Sequence, residues 1–190
     1  MSLICVRHGE STANAGAATT DPLGIRLTEL GRLQAQQIAA SWSRAPALIV
    51  TSPATRAQAT AAPTIDRFPG VPVESWPIEE FTYLSPTRCA GTTVVDRRRW
   101  VAEYWNRGDP QFIDGEGAES FEQFIVRVKD ATRKFADRAD HRRADILVFG
   151  HGQFINAMRW SRGAANPLDM NTFRSFDLTN PIANCQRVEL

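Results

Sequence analysis

The sequence is poor in the residues that staple small folds together. Its 190 residues include three cysteines, Cys5, Cys89 and Cys185, far apart and odd in number. No C-x-x-C pair occurs, which argues against a disulfide framework and against a zinc ribbon. Cys5 stands inside an apolar run and is expected as a buried core thiol. An excess of one charge is missing too. Lys and Arg number 22 against 21 Asp and Glu, a net charge of +1. No overall field then favours nucleic acid or an anionic membrane, and neither is expected as a partner. Any phosphate recognition would have to come from local clusters. No apolar stretch is long enough to span a bilayer. The first hydrophobic segment meets Arg7 and Glu10 too early for a signal peptide, so a cytoplasmic location is expected. Repeats and low-complexity linkers are also missing, and one domain over 1–190 is expected.

What is present is a rhythm. Leu3–Val6, Leu48–Val50 and Ile146–Phe149 are short, continuous apolar runs, the pattern of strands covered on both faces. Each is followed by a polar or glycine-bearing turn and then a helix-like stretch. The alternation predicts an α/β fold: a three-layer α/β/α sandwich with a central, mostly parallel sheet flanked by helices. Thr28 caps a predicted helix running to about Trp42, with Leu30, Leu33, Gln37, Ile38 and Trp42 on one side. Ser120 starts another, with Gln123 completing a capping box and Phe121, Phe124, Ile125, Val128 and Phe135 on the apolar side. Residues 93–106 place Val94, Val101 and Trp105 on one helical face. Val71–Val73 reads as a short extended piece, and 173–190 as two short strands around Asn180-Pro181.

The chemistry-bearing residues follow the three apolar runs. After the first comes Arg7-His8-Gly9-Glu10, after the second Ser52-Pro53-Ala54-Thr55-Arg56, after the third Gly150-His151-Gly152. Ligands of open α/β sheets bind beyond the carboxyl ends of strands. If the three strands are parallel neighbours, two arginines and two histidines converge on one crevice. Arginine matches phosphate oxygens with paired, planar donors, and helix N-termini after the second and third strands would add N–H groups. Neighbouring guanidinium groups disfavour imidazolium, and a neutral imidazole nitrogen can attack phosphorus to give a phosphohistidine. Departure of an alkoxide needs a proton. A carboxyl group beside a phosphate dianion has its pKa raised and can carry that proton. Trp76–Phe81 offers Glu79 and Glu80, and adjacent residues of an extended segment point oppositely, so one of the two faces the site.

In these residues the chain resembles the histidine phosphatase superfamily, which includes phosphoglycerate mutases and many small phosphatases. Arg7-His8-Gly9-Glu10 with Asn14, Leu27–Gly31 with Gln34 and Ala35, Ser52–Ala57 and Gly150–Gly152 are similar to its successive motifs, in order and over nearly the whole chain. The resemblance implies His8 as the phosphorylated nucleophile. Arg7 and Arg56 would bind phosphate oxygens, with His151 and Gly152 completing the pocket and Asn14 at its rim. Glu80 best fits the family's proton donor, and Glu79 is the second choice. It further implies a small phosphorylated substrate, no cofactor and no metal. Residues 80–120 would then cover the active site. The stretch Phe81–Pro86 matches neither the phosphatase Gly-x-Trp-Glu-Gly run nor the mutase Glu-Arg-His-Tyr-Gly run, and without a mutase-type insertion a hydrolase is favoured over a mutase. A low-turnover phosphate-binding or interaction module, and a metal hydrolase built on His8 and His151, are the remaining alternatives.

Glu10 is expected to serve structure near the phosphate loop and His141 to lie on the surface. Arg97-Arg98-Arg99 reads as a solvated helix face, with the alternative that it and Arg88 receive an anionic part of the substrate.

Overall fold

A computed structural model describes residues 2–139 and 144–190; His141 lies outside the described residues. Five strands, β1 (Leu3–Arg7), β2 (Leu48–Thr51), β3 (Val73–Ser75), β4 (Ile146–Gly150) and β5 (Arg187–Glu189), form one sheet in the order β3-β2-β4-β1-β5. The first four are parallel and β5 runs antiparallel against β1. Strand β4 lies between β1 and β2, and the register pairs Arg7 with Gly150 and Thr51 with Phe149. The three chemistry-bearing turns therefore leave the sheet side by side.

Alternate residues of the apolar runs face opposite sides, as a pleated strand demands. Val6, Ile49, Leu147 and Phe149 pack with Ile38 and Trp42 on one side, where helices α1 (Glu29–Ala40) and α2 (Thr55–Arg67) lie. Cys5, Leu48, Val50, Ile146 and Val148 face the larger cluster, built with α3 (Pro86–Cys89), α4 (Arg98–Arg107), α5 (Phe121–Ala139), α6 (Gly152–Ser161) and α7 (Met170–Thr179). Both faces are covered, which is why these strands carry no polar alternation. Cys5 is fully buried, and burial pushes its thiol up to about 12.

The capping box of α5 forms as expected. Ser120 Oγ accepts from the Gln123 N–H at 3.1 Å, and Gln123 Oε1 accepts from the Ser120 N–H at 2.9 Å. Thr28 caps α1 by accepting from the Gly31 N–H at 3.0 Å. The buried face of α1, however, is Gly31, Ala35, Ile38 and Ala39, while Leu30 and Leu33 stay about half exposed. The cause is close backbone approach. A Cβ on Gly31 would lie 2.0 Å from the Glu10 carbonyl oxygen, and one on Gly9 would lie 2.6 Å from that of Gly31. Small residues win that face because the loop after β1 rests on it.

Three other expectations are corrected. The helix expected over 93–106 begins only at Arg98, because Asp96 closes a separate turn by accepting from the Thr93 N–H and hydroxyl, both at 2.8 Å. The short strand lies at Val73–Ser75 rather than Val71–Val73. The tail holds one strand, not two: Asp169 caps α7 by accepting from the Thr172 N–H at 3.0 Å, and the helical spacing of Met170 and Phe173 buries both.

Candidate active site

His8 is the first residue beyond β1, and its N–H continues the ladder by donating to the Gly150 carbonyl at 2.9 Å. Its side chain is buried. Nδ1 lies 2.7 Å from the Gly9 carbonyl oxygen, an acceptor only, so Nδ1 carries the proton. Nε2 is then the lone-pair nitrogen, and it accepts from Arg56 Nε at 3.2 Å. Burial first, then the Arg56 charge, lower the pKa of His8 to about 3, while the Gly9 contact opposes the shift. The ring is neutral throughout the physiological range.

His151 immediately precedes α6 and is fully buried, with its ring centroid 5.2 Å from that of His8. Arg56 Nη2 donates to its Nδ1 at 3.2 Å. Its Nε2–H then donates to Ser52 Oγ at 2.9 Å. Burial and the Arg56 charge hold this ring neutral as well, well below its ordinary pKa. Arg56, in the first turn of α2, therefore bridges both imidazoles, and its Nη1 is anchored to the Pro22 carbonyl at 2.6 Å. Arg7 stands at the end of β1 with Nη1 donating to the Ile182 carbonyl at 2.5 Å. Gly152 lies beside it: a Cβ there would make ordinary contacts with Arg7 Cδ and Nε at 3.7 Å and Glu80 Oε2 at 4.0 Å.

The two glutamates part as adjacent residues of an extended segment should. Glu79 turns to Arg127, 3.6 Å away. Glu80 turns inward, and its Oε1 accepts from the N–H groups of Gln153 at 3.0 Å and Phe154 at 3.3 Å, in the first turn of α6. Arg56 and Arg7 favour its carboxylate, but burial is the larger influence and raises its pKa above the ordinary value. The helix N-termini were expected to point N–H groups at phosphate. Of these, Glu80 takes the Gln153 and Phe154 N–H groups of α6, and the Thr55 N–H of α2 goes to the Leu23 carbonyl at 2.9 Å.

The supporting residues tie distant segments to this centre. Thr60 Oγ1 accepts from the Gly9 N–H at 3.0 Å and donates to the Arg56 carbonyl at 2.6 Å. Glu10 Oε1 accepts from the Thr28 hydroxyl at 2.7 Å, and its N–H donates to Gln34 at 2.8 Å, so Glu10 serves the loop's structure as expected. Asn14 is exposed; its Oδ1 accepts from the Ser11 N–H at 3.1 Å and from Asn184 at 3.3 Å. Sequence reasoning passed over Asn184, which donates to the His8 carbonyl at 2.9 Å, and Ser52 as the partner of His151. It also passed over Arg127, which pairs with Glu119 at 2.5 Å and donates to the carbonyls of Pro77 and Glu79, pinning the Glu80 segment to α5. Ser52 sits inside a quoted motif, but Asn184 comes from the far end of the chain and carried no local signal.

The three consecutive arginines separate. Arg99 pairs with Glu103 at 2.7 Å, Arg98 is exposed, and Arg97 is half-buried and lines a cavity of about 240 Å³ together with Arg56 and Glu80. Arg88 is paired with Asp114 at 2.7 Å. Among the described residues no group of three or more His, Cys, Asp or Glu side chains is arranged to hold a metal ion, and no helix is long and apolar enough to cross a membrane.

The four parallel strands of the mixed sheet thus bring two neutral histidines, two arginines and a buried carboxyl group together, a set whose chemistry suits a phosphoryl group. The family model of the histidine phosphatase superfamily (branch 1) matches residues 3–188. The chain belongs to that superfamily and is an enzyme of the phosphatase class. No curated protein sequence matches it. Among solved structures, a mycobacterial glucosyl-3-phosphoglycerate phosphatase complexed with VO3 is similar with a TM-score of 0.75 at 22% identity, over 100% of this chain and 90% of that one. The α-ribazole phosphatase from Shigella flexneri is similar with a TM-score of 0.74 at 22% identity, over 100% and 89%. At such identity the likeness speaks for the fold.

Proposed function

We propose that the protein is a metal-independent phosphomonoester hydrolase that works through a covalent phosphohistidine on His8. The observation that carries this reading is the state of His8: a neutral ring, its proton held on Nδ1 by the Gly9 carbonyl and its Nε2 lone pair beside a guanidinium. A phosphate monoester entering between Arg7, Arg56 and His151 exchanges the Arg56–imidazole contacts for stronger charge-assisted ones, which frees Nε2. Nε2 forms the N–P bond as the P–O bond to the alcohol breaks. Glu80, protonated beside the incoming dianion, gives its proton to the departing oxygen. Glu80, now a carboxylate, takes a proton from water as that water attacks phosphorus; the N–P bond breaks and phosphate leaves.

Residues 80–120 serve, in this reading, as the segment that covers the bound substrate within a single domain. Cys5, Cys89 and Cys185 are unpaired, which suits a reducing, cytoplasmic compartment. Product analysis over a panel of phosphomonoesters, with wild type and His8→Ala in parallel, tests the hydrolase reading. Free phosphate from wild type and none from His8→Ala supports it. Isomer formation without free phosphate replaces it with a mutase, and no turnover on any member leaves a binding module.

A further inference from the structure

Glu80 is held by one of its oxygens. Oε1 accepts from three backbone N–H groups, those of Gln153 at 3.0 Å, Phe154 at 3.3 Å and Phe81 at 3.3 Å. With three donors on it, Oε1 does not carry the acidic proton, which belongs on Oε2. Oε2 lies on the Gly152 side, where Arg7 also stands. The bonds that aim the group also work against its being an acid. Three N–H groups, two of them in the first turn of α6, favour a carboxylate. Burial is the largest influence the other way, and one charge behind the helix adds to it.

That charge is Asp177, on α7. Gln153 joins the two carboxyl groups: its backbone N–H goes to Glu80, and its side-chain Nε2 donates to Asp177 Oδ2 at 3.0 Å. Asp177 Oδ1 accepts from Asn156 Nδ2 at 2.9 Å. The direction of the Asn156 amide is fixed, because Arg159 donates to its Oδ1 at 3.0 Å and its Nδ2 also reaches the Asn180 carbonyl at 2.9 Å. Both oxygens of Asp177 thus face donors, which suits a carboxylate. Its side chain is only 13% exposed, and Arg174 stands 3.7 Å away, beyond hydrogen-bond distance. An asparagine facing a turned Gln153 amide would complete the same bonds without burying a charge, so the charge needs a further use. After burial, Arg56 on α2 and Arg7 on β1 act on Glu80 to favour its carboxylate, and Asp177 on α7 opposes them. The Tyr83 phenol, which lines the same cavity as Glu80, is pushed up mainly by burial and lies in the field of Arg174, Glu80 and Asp177 alike.

Building on the hydrolase reading, in which Glu80 gives its proton to the departing alcohol, we infer that Asp177 is a positioning residue for that acid: through Gln153 it fixes the N–H groups that aim Glu80, and its negative charge keeps the proton on Oε2 until the alcohol leaves. Two readouts test this. One is ¹³C NMR titration of the Glu80 side-chain carboxyl in the free protein, assigned by its loss in Glu80→Gln. The other is the alkaline limb of kcat/KM on n-butyl phosphate. Asp177→Asn removes the charge and keeps the shape, so Glu80 should lose its proton at lower pH and the limb should move down with it. Arg174→Gln removes the cation facing Asp177 and should move both to higher pH. Opposite shifts separate charge from damage: a merely loosened site admits water in both variants, and both would then move down, because burial is what chiefly raises Glu80. Asp177→Glu, which restores the charge, should return the titration toward that of wild type. Added salt should alter the shifts little, since Asp177 is largely buried. A Glu80 titration that is unmoved or raised in Asp177→Asn overturns the inference. A titration that is unmoved or lowered in Arg174→Gln overturns it as well, and decides the matter if Asp177→Asn fails to fold. A limb that persists in Glu80→Gln overturns the acid role of Glu80, and the inference falls with it. A limb lost in Glu80→Gln but left in place by Asp177→Asn overturns the inference alone.

Discussion

Keeping His8 uncharged has an energetic consequence that acid makes visible. The ring's pKa falls from 6.5 to about 3 in the folded chain. At about 1.4 kcal/mol per pH unit, the difference is worth about 5 kcal/mol at its acid limit. Between those two values the unfolded chain binds a proton at this ring that the folded chain refuses. Stability at this site therefore rises with pH across that window and is complete above 6.5. Urea unfolding of wild type across the window should show this slope, and His8→Asn should lessen it, the remainder coming from His151, whose pKa is lowered as well. Direct titration by NMR is favoured by the small number of histidines, three in all. Burial outweighs the Arg56 charge among the causes of the shift, so Arg56→Met should raise the pKa of His8 yet leave it below 6.5. A wild-type His8 that titrates at or above 6.5, or an unchanged slope in His8→Asn, refutes the reasoning.

Other consequences follow from the same geometry. Glu80→Gln should lower kcat on alkyl phosphates by about 10²- to 10⁴-fold, with a smaller loss on aryl esters whose leaving groups need no proton. The raised pKa of Glu80 means that wild-type activity falls as pH rises through it, because the acid must be protonated; Glu80→Gln should abolish that alkaline limb, and a persisting limb assigns it to another group. Gly31→Ala drives a Cβ to 2.0 Å from the Glu10 carbonyl oxygen and should destabilise the fold by about 1–3 kcal/mol or more, seen as a lower urea midpoint; an unmoved midpoint contradicts the close packing of loop and helix. Ser120→Ala removes the α5 cap and should lower stability by about 1 kcal/mol in the same assay.

Much of the architecture was legible in the sequence because it rests on local patterns. Continuous apolar runs foretold buried parallel strands, and the turns after them held the reactive groups. The opposite directions of Glu79 and Glu80 followed from strand geometry alone. What escaped was non-local. Leu30 and Leu33 looked like a core face, but the packing of α1 is ruled by Gly9 and Gly31, whose close approach no periodicity reveals. Arg97 looked like one of three surface arginines until Thr19, nearly eighty residues away, was found to hold it. The occupancy of the α6 N-terminus by Glu80 joins β4 to a segment seventy residues earlier, and Asn184 reaches His8 from the opposite end of the chain. Such contacts depend on how the layers close, and side-chain type alone does not encode them.

The central claim is that His8 Nε2 becomes bonded to phosphorus during turnover. The most direct measurement is a base quench of wild-type enzyme turning over a ³²P-labelled phosphomonoester, followed by tests of the protein-bound label for acid lability and for its position in the chain. The account predicts an acid-labile, base-stable label on the peptide containing His8, absent from His8→Ala and accumulating when Glu80→Gln acts on an aryl ester. A wild-type enzyme that releases phosphate under these conditions without any label on that peptide contradicts it.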